Sequence, residues 1–220
     1  MNFSLNTNYV EPVSQEDPKS IIIMCHGFGG DGNDIKILAE SWKRFLPNTG
    51  FYCPDGPEIC SVNPDGFQWF DLMDDNKNLI IEKSIVAEKI LNNFIDEILD
   101  QHKISKKFLC LVGFSQGCMM ILQTAIKQKD KMNCIVGFSG KIIDKDDIIK
   151  RIKSKSKTKM LLIHGDQDVV VPPSSLLEAK DFLIRNKINI ETKMIKDCGH
   201  HISIEASSIA LNYIKKNLYI

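Results

Sequence analysis

Phe108-Leu109-Cys110-Leu111-Val112-Gly113-Phe114-Ser115-Gln116-Gly117-Cys118-Met119-Met120 is the stretch that decides the fold. Residues 108–112 are apolar without alternation, which suits a strand covered on both faces. The run stops at Gly113. From Gln116 onward, Met119, Met120, Leu122 and Ile126 return at helical spacing. A buried strand therefore turns sharply into an amphipathic helix, with a serine in the turn. Gly113 and Gly117 flank Ser115 at two residues on either side, where so tight a turn admits only small residues. The helix N-terminus points at the serine and favours negative charge developing there.

The same alternation extends outward. Short β-type runs at 21–25, 51–53, 134–136, 160–163 and 190–195, most of them apolar throughout, each end in a glycine-bearing turn. Helical periods lie between them: Ile81, Ile85, Phe94, Ile95, Ile98 and Leu99; then 176–183; then 204–218, with Ala206, Ala210, Tyr213 and Ile214 on one stripe. Strand and helix in series predict an α/β fold with a mostly parallel central sheet and helices on both faces. At 220 residues the chain reads as a single domain, 1–220. Ligands of such sheets bind beyond the carboxyl ends of the strands, where Gly27, Ser115, Asp168 and His200 all fall.

A nucleophilic serine needs a base, and the base needs an acid. His164-Gly165-Asp166-Gln167-Asp168 follows one strand, and Cys198-Gly199-His200-His201 follows the last. The order Ser, Asp, His is that of α/β-hydrolases. Asp166 sits tight after Gly165, where an aspartate caps its own backbone; Asp168 lies further out and is the expected acid. Gly199 is expected to take an unusual backbone angle and to aim His200, not His201, at the serine. The oxyanion of a tetrahedral intermediate needs two donors. His26-Gly27-Phe28-Gly29-Gly30 assigns one to the backbone N–H of Phe28, and the elbow assigns the other to Gln116. Gly137-Phe138-Ser139-Gly140 lacks the second glycine spacing and is rejected as an elbow.

Composition removes other classes. Lys+Arg and Asp+Glu are both 28, so no global field draws the chain to nucleic acid or an anionic membrane. The lysines between 150 and 159 read as a solvated loop or helix end. Seven cysteines, an odd number with no C-x-x-C pair, indicate reduced thiols and a cytoplasmic location. Residues 1–11 show neither a basic n-region nor an apolar h-region, and no apolar run is long enough to span a bilayer.

On five blocks the chain resembles the phospholipase/carboxylesterase family, which includes acyl-protein thioesterases and small bacterial carboxylesterases. They are His26-Gly27-Phe28-Gly29, Phe67-Gln68-Trp69-Phe70-Asp71, Gly113 to Gly117, His164 to Asp168 with Val171-Pro172, and Gly199-His200. The resemblance implies hydrolysis of carboxylic esters or thioesters, no cofactor or metal, an open site with a short lid, and Asp168 as the acid. The substrate is expected to be a small acyl ester or an acylated protein or lipid, and a homodimer is allowed. Phe28, Trp69, Phe70, Leu72 and Met73 are the expected walls of an apolar acyl site without a charged anchor. The chain departs from the family at Cys118, where a third elbow glycine is common, and at Pro54-Asp55-Gly56-Pro57, which bears on the shape of the acyl pocket.

Three rivals stand beside this reading. One is a small peptidase-like or lysophospholipase hydrolase of the same fold. Another is a metal site from Cys198, His200 and His201 with His26 or His164, which has neither C-x-x-C nor H-x-x-x-H spacing and leaves the elbow unexplained. The third is a non-catalytic binding protein, against which the intact Ser, Asp and His argue.

Overall fold

The computed structural model describes residues 3–128, 130–151 and 158–218. The middle of the lysine run, 152–157, lies outside them. Seven strands form one sheet in the order β1-β3-β2-β6-β7-β8-β9. They are β1 (Thr7–Val10), β2 (Ser20–Cys25), β3 (Thr49–Pro54), β6 (Leu109–Phe114), β7 (Cys134–Phe138), β8 (Lys159–Gly165) and β9 (Ile190–Ile195). Only β1, at the edge, runs antiparallel to its neighbour. A separate hairpin, β4 (Glu58–Cys60) and β5 (Asn63–Gln68), stands beside the sheet order.

Among the described residues, six α-helices accompany the strands: α1 (Gly32–Trp42), α2 (Lys77–His102), α3 (Gln116–Lys127), α4 (Lys145–Arg151), α5 (Ser174–Arg185) and α6 (Ile204–Leu218). The period of two along the central strands sorts their side chains between two cores. Ile21, Ile23, Leu109 and Leu111 pack with Leu91, Phe94, Ile95 and Ile98 of α2 and with residues of α3 and α5. Ile22, Met24, Cys110 and Val112 face the other way, onto Trp42 of α1 and Ala210 and Ile214 of α6. Helices on both sides are why these strands carry no polar alternation. Each such side chain contributes about 1.5–3 kcal/mol on burial.

β9, Ile190-Glu191-Thr192-Lys193-Met194-Ile195, carries polar residues where the central strands β6 and β7 carry none. It is the sheet edge, and Glu191 and Lys193 are exposed there. Charges on an edge discourage pairing with another chain. All seven cysteines are free and buried. Among the described residues, no helix is long and apolar enough to cross a membrane.

Candidate active site

Ser115 sits between β6 and α3 with φ 51°, a left-handed value rare outside glycine. Strain of this kind is of the order of 1–3 kcal/mol and persists where surroundings over-determine it. They do so here: a Cβ on Gly113 would stand 2.4 Å from the Gly117 carbonyl oxygen, and one on Gly117 would stand 2.1 Å from that of Cys25. The Ser115 N–H donates to the Phe138 carbonyl at 2.9 Å.

His200 Nε2 lies 3.0 Å from Ser115 Oγ, and His200 Nδ1 lies 2.8 Å from Asp168 Oδ2. An ionised carboxylate only accepts, so Nδ1 carries the proton and Nε2 is left to accept from the serine hydroxyl. Asp168 Oδ1 accepts the N–H groups of Val170 at 3.0 Å and Val171 at 2.9 Å. Burial pushes the Asp168 carboxyl up, but the hydrogen bonds from His200 and Val171, His200's charge and the Val170 bond outweigh it and hold it below its ordinary value.

A further neighbour was not anticipated from sequence. His164 Nε2 lies 2.8 Å from the Val171 carbonyl and 3.3 Å from Asp168 Oδ2. The carbonyl requires Nε2–H, so the ring's proton is directed there, and the carboxylate oxygen lies beside it without a hydrogen bond of its own to this ring. Asp166 does not cap its own backbone as expected; its Oδ1 accepts the Cys198 N–H at 3.3 Å, tying the acid loop to the base loop. Those loops meet closely, since a Cβ on Gly165 would stand 2.1 Å from the Cys198 carbonyl oxygen. Nor does Gly199 take the unusual angle: Asp197 does, at φ 52°. His201 is exposed, with Nε2 3.8 Å from Cys198 Sγ.

The loop after β2 faces the serine from the other side. Gly30 N–H donates to the Gly27 carbonyl at 3.1 Å, closing a turn with Gly29 at φ 79°. Phe28 occupies the corner of that turn. Backbone bonds between Gly29 and Phe67 (2.9 Å) and between Phe67 and Gly30 (2.8 Å) pin the turn to β5. His26 is buried and fully engaged: Nδ1 lies 2.7 Å from the Gly27 carbonyl, and Nε2 accepts the Gly56 N–H at 2.8 Å. Burial pushes its pKa down. Gln116 is the first residue of α3, so its backbone N–H has no intrahelical acceptor.

Of the five expected acyl walls, Phe28 lines a groove of about 440 Å³ shared with Phe114, His200 and His201. Trp69 and Phe70 do not line that groove; they are fully buried beneath the serine turn. The Gln116 side chain accepts the Trp69 N–H at 3.0 Å and donates to the Phe70 carbonyl at 2.6 Å. Leu72 lines a second groove, of about 360 Å³, with Ile80, Ile81, Met119, Ile142 and Ile143. Met73 is 62% exposed and lines neither groove. Cys118 fills the space that Gly137 and Gly140 leave open, so the glycines of the rejected motif serve packing.

A sequence model of the family described as Phospholipase/Carboxylesterase matches residues 7–218. Acyl-protein thioesterase 1 of Kluyveromyces lactis is 27% identical over 224 residues, covering 96% of this chain and 98% of that protein. Esterase YpfH of Escherichia coli is 22% identical over 214 residues, covering 94% and 87%. The crystal structure of esterase PE8 matches with a TM-score of 0.91 at 32% identity, covering 97% of this chain and 99% of that one.

Proposed function

The chain belongs to the phospholipase/carboxylesterase family and is an ester-hydrolysing enzyme, and from that premise we propose that Ser115, His200 and Asp168 cleave carboxylic esters or thioesters through an acyl-enzyme. The observation that carries the reading is the continuous line Ser115 Oγ to His200 Nε2, 3.0 Å, and His200 Nδ1 to Asp168 Oδ2, 2.8 Å.

His200 takes the serine proton as Oγ attacks the carbonyl carbon. The resulting oxyanion is received by the N–H groups of Phe28 and Gln116. Collapse expels the alcohol or thiol, which takes its proton from His200. A water then repeats the sequence on the acyl-serine and releases the acid. His200 must reach the leaving atom, so the leaving group belongs in the groove His200 lines, with Phe28 and Phe114. The acyl chain then belongs in the groove of Leu72, Met119 and Ile142. The names of the relatives support small acyl esters and S-acylated proteins as substrates. Seven buried, free thiols support a reducing, cytoplasmic setting.

The test is rapid mixing with a para-nitrophenyl ester, followed by acid quench and peptide mass spectrometry. A burst of nitrophenolate and an acyl adduct on the peptide holding Ser115 are expected. An adduct elsewhere, or turnover surviving in Ser115→Ala, overturns the assignment.

A further inference from the structure

The groove assigned to the acyl chain is not uniformly apolar. Lys77 and Lys141 stand among its lining residues, and both are exposed. The other walls are Leu72, Met119 and the isoleucines Ile80, Ile81, Ile142 and Ile143. Three segments of the lining adjoin the serine turn. The Met119 N–H donates to the Ser115 carbonyl at 3.1 Å. Gly140, next to Lys141, lies against the Ser115 backbone, so that a Cβ there would be 3.2 Å from the Ser115 carbonyl oxygen. Leu72 lies two residues after Phe70, whose carbonyl accepts from the Gln116 side chain.

The charge at this rim is uncompensated. Among the described residues, neither lysine forms an ion pair with a carboxylate, whereas the nearby Lys83 and Lys145 pair with Asp74 and Glu178. Lys77 is the first residue of α2, a helix with no acidic residue in its first turn. A cation there opposes the helix dipole, so its placement does not serve the helix. Instead, the positive helix end and two ammonium groups meet at one rim. Asp74 is already engaged by the Asn76 N–H at 2.9 Å and by Lys83, and Asp75 is not part of the lining.

We propose that this groove selects acyl groups that end in an anion, such as the half-esters or half-thioesters of dicarboxylic acids, with Lys77 and Lys141 as the counter-charges. The methylenes lie along Leu72, Met119 and the isoleucines while the terminal carboxylate reaches the lysines. This rests on the acyl-enzyme reading of Ser115, and it replaces the expectation of an acyl site without a charged anchor.

The experiment compares para-nitrophenyl hydrogen adipate with para-nitrophenyl hexanoate, acyl chains of equal length ending in carboxylate or methyl. The readout is the ratio of their kcat/KM values in the wild type and in the double variant Lys77→Gln, Lys141→Gln. Exposed ion pairs are individually weak, so the two together are expected to lower the ratio by about tenfold, and added salt should lower it in the wild type alone. A ratio equal in wild type and variant, at low and high salt, overturns the proposal while leaving the hydrolase reading intact. If the wild type hydrolyses neither ester, the underlying reading fails and takes the proposal with it. Lys141→Glu supplies an independent arm, in which the adipate substrate should be disfavoured relative to hexanoate.

Discussion

Trp69 donates its indole N–H to the carbonyl oxygen of His26, 3.1 Å away. His26 immediately precedes the turn that carries Phe28, and the Trp69 backbone N–H is held by the Gln116 side chain at 3.0 Å. One buried residue thus braces both proposed oxyanion donors. Trp69→Phe keeps an aromatic body and removes the N–H. A fall in kcat of about ten- to a hundredfold is expected, with KM nearly unchanged, because the donors act on the transition state. Steady-state kinetics with a thermal melt of the same sample checks it. Unchanged kcat in the folded variant would show that the donors hold their spacing without the brace.

Two aspartates share the loop after β8, and the structure gives them different work. Asp168 holds His200, while Asp166 ties the loop to Cys198. Asp168→Asn should lower turnover on the order of ten-thousandfold, because the imidazole loses the partner that sets its tautomer. Asp166→Asn should lower turnover by less than about tenfold and lower stability by about 1 kcal/mol. Equal losses of turnover in two folded variants would sink the division of labour.

His164, on the strand that leads to the acid loop, holds the Val171 carbonyl and stands 3.3 Å from the Asp168 carboxylate. His164→Leu leaves the buried Val171 carbonyl without its side-chain donor and loosens the loop that presents Asp168, a loss of about 1–3 kcal/mol in stability. Turnover should fall with it, and His164→Gln, which retains an N–H near the same place, should restore part of both. If Gln and Leu behave alike in urea melts and in kcat, the N–H is not the feature that matters.

The elbow was legible because its chemistry is local: a buried strand, two obligatory glycines and a helix lie within one stretch. The Ser-Asp-His order was legible because each residue ends a strand. What stayed hidden depends on contacts between distant segments. Trp69 and Phe70 look like pocket walls when read by hydrophobicity, but Gln116 draws them inward. Helix α1 was missed because Gly32-Asn33-Asp34 reads as a loop, although Asp31 and Asp34 form a capping box and Ile35, Ala39 and Trp42 make a buried stripe. The hairpin of β4 and β5 hides behind Asn63-Pro64-Asp65-Gly66, which reads as a turn. The cationic rim joins the first residue of α2, Lys77, to Lys141 in the loop between β7 and α4, far apart in sequence.

Acid should weaken the fold in two stages of the same sign. Burial holds the His26 pKa below its ordinary value, so the unfolded chain takes up that proton first. Its stabilisation is present above about pH 6.5 and is lost as pH falls from there through the folded value. Asp168 is also held low in the fold, against the upward push of burial, by its hydrogen bonds to His200 and to the Val171 and Val170 N–H groups. Its contribution is present above about pH 3.9 and is lost as pH falls through its own lower value. Urea midpoints should therefore decline from pH 7.5 to pH 5.5, and His26→Gln should flatten that upper portion. A midpoint that rises over this interval would contradict the sign.

Lys127 closes the far end of α3, opposite the serine, and is buried between two carboxylates. Its Nζ lies 2.6 Å from Glu88 of α2 and 2.6 Å from Asp147 of α4, with 7% of the lysine side chain exposed. Glu88 is equally buried and also accepts from Gln123 at 3.0 Å. Water screens such a cluster little, so removing the cation leaves a charge with most of its desolvation uncompensated. Lys127→Met should lower unfolding free energy by about 3–5 kcal/mol. Adding Glu88→Gln to it should recover part of that loss, because the amide removes the orphaned charge and still accepts from Gln123. Turnover per folded molecule should be unchanged in both, since the cluster lies at the end of α3 remote from Ser115. Urea unfolding of the single and double variants measures the coupling directly. A single-variant loss below about 1 kcal/mol would mean that the pair behaves as a solvated surface bridge, whatever its burial.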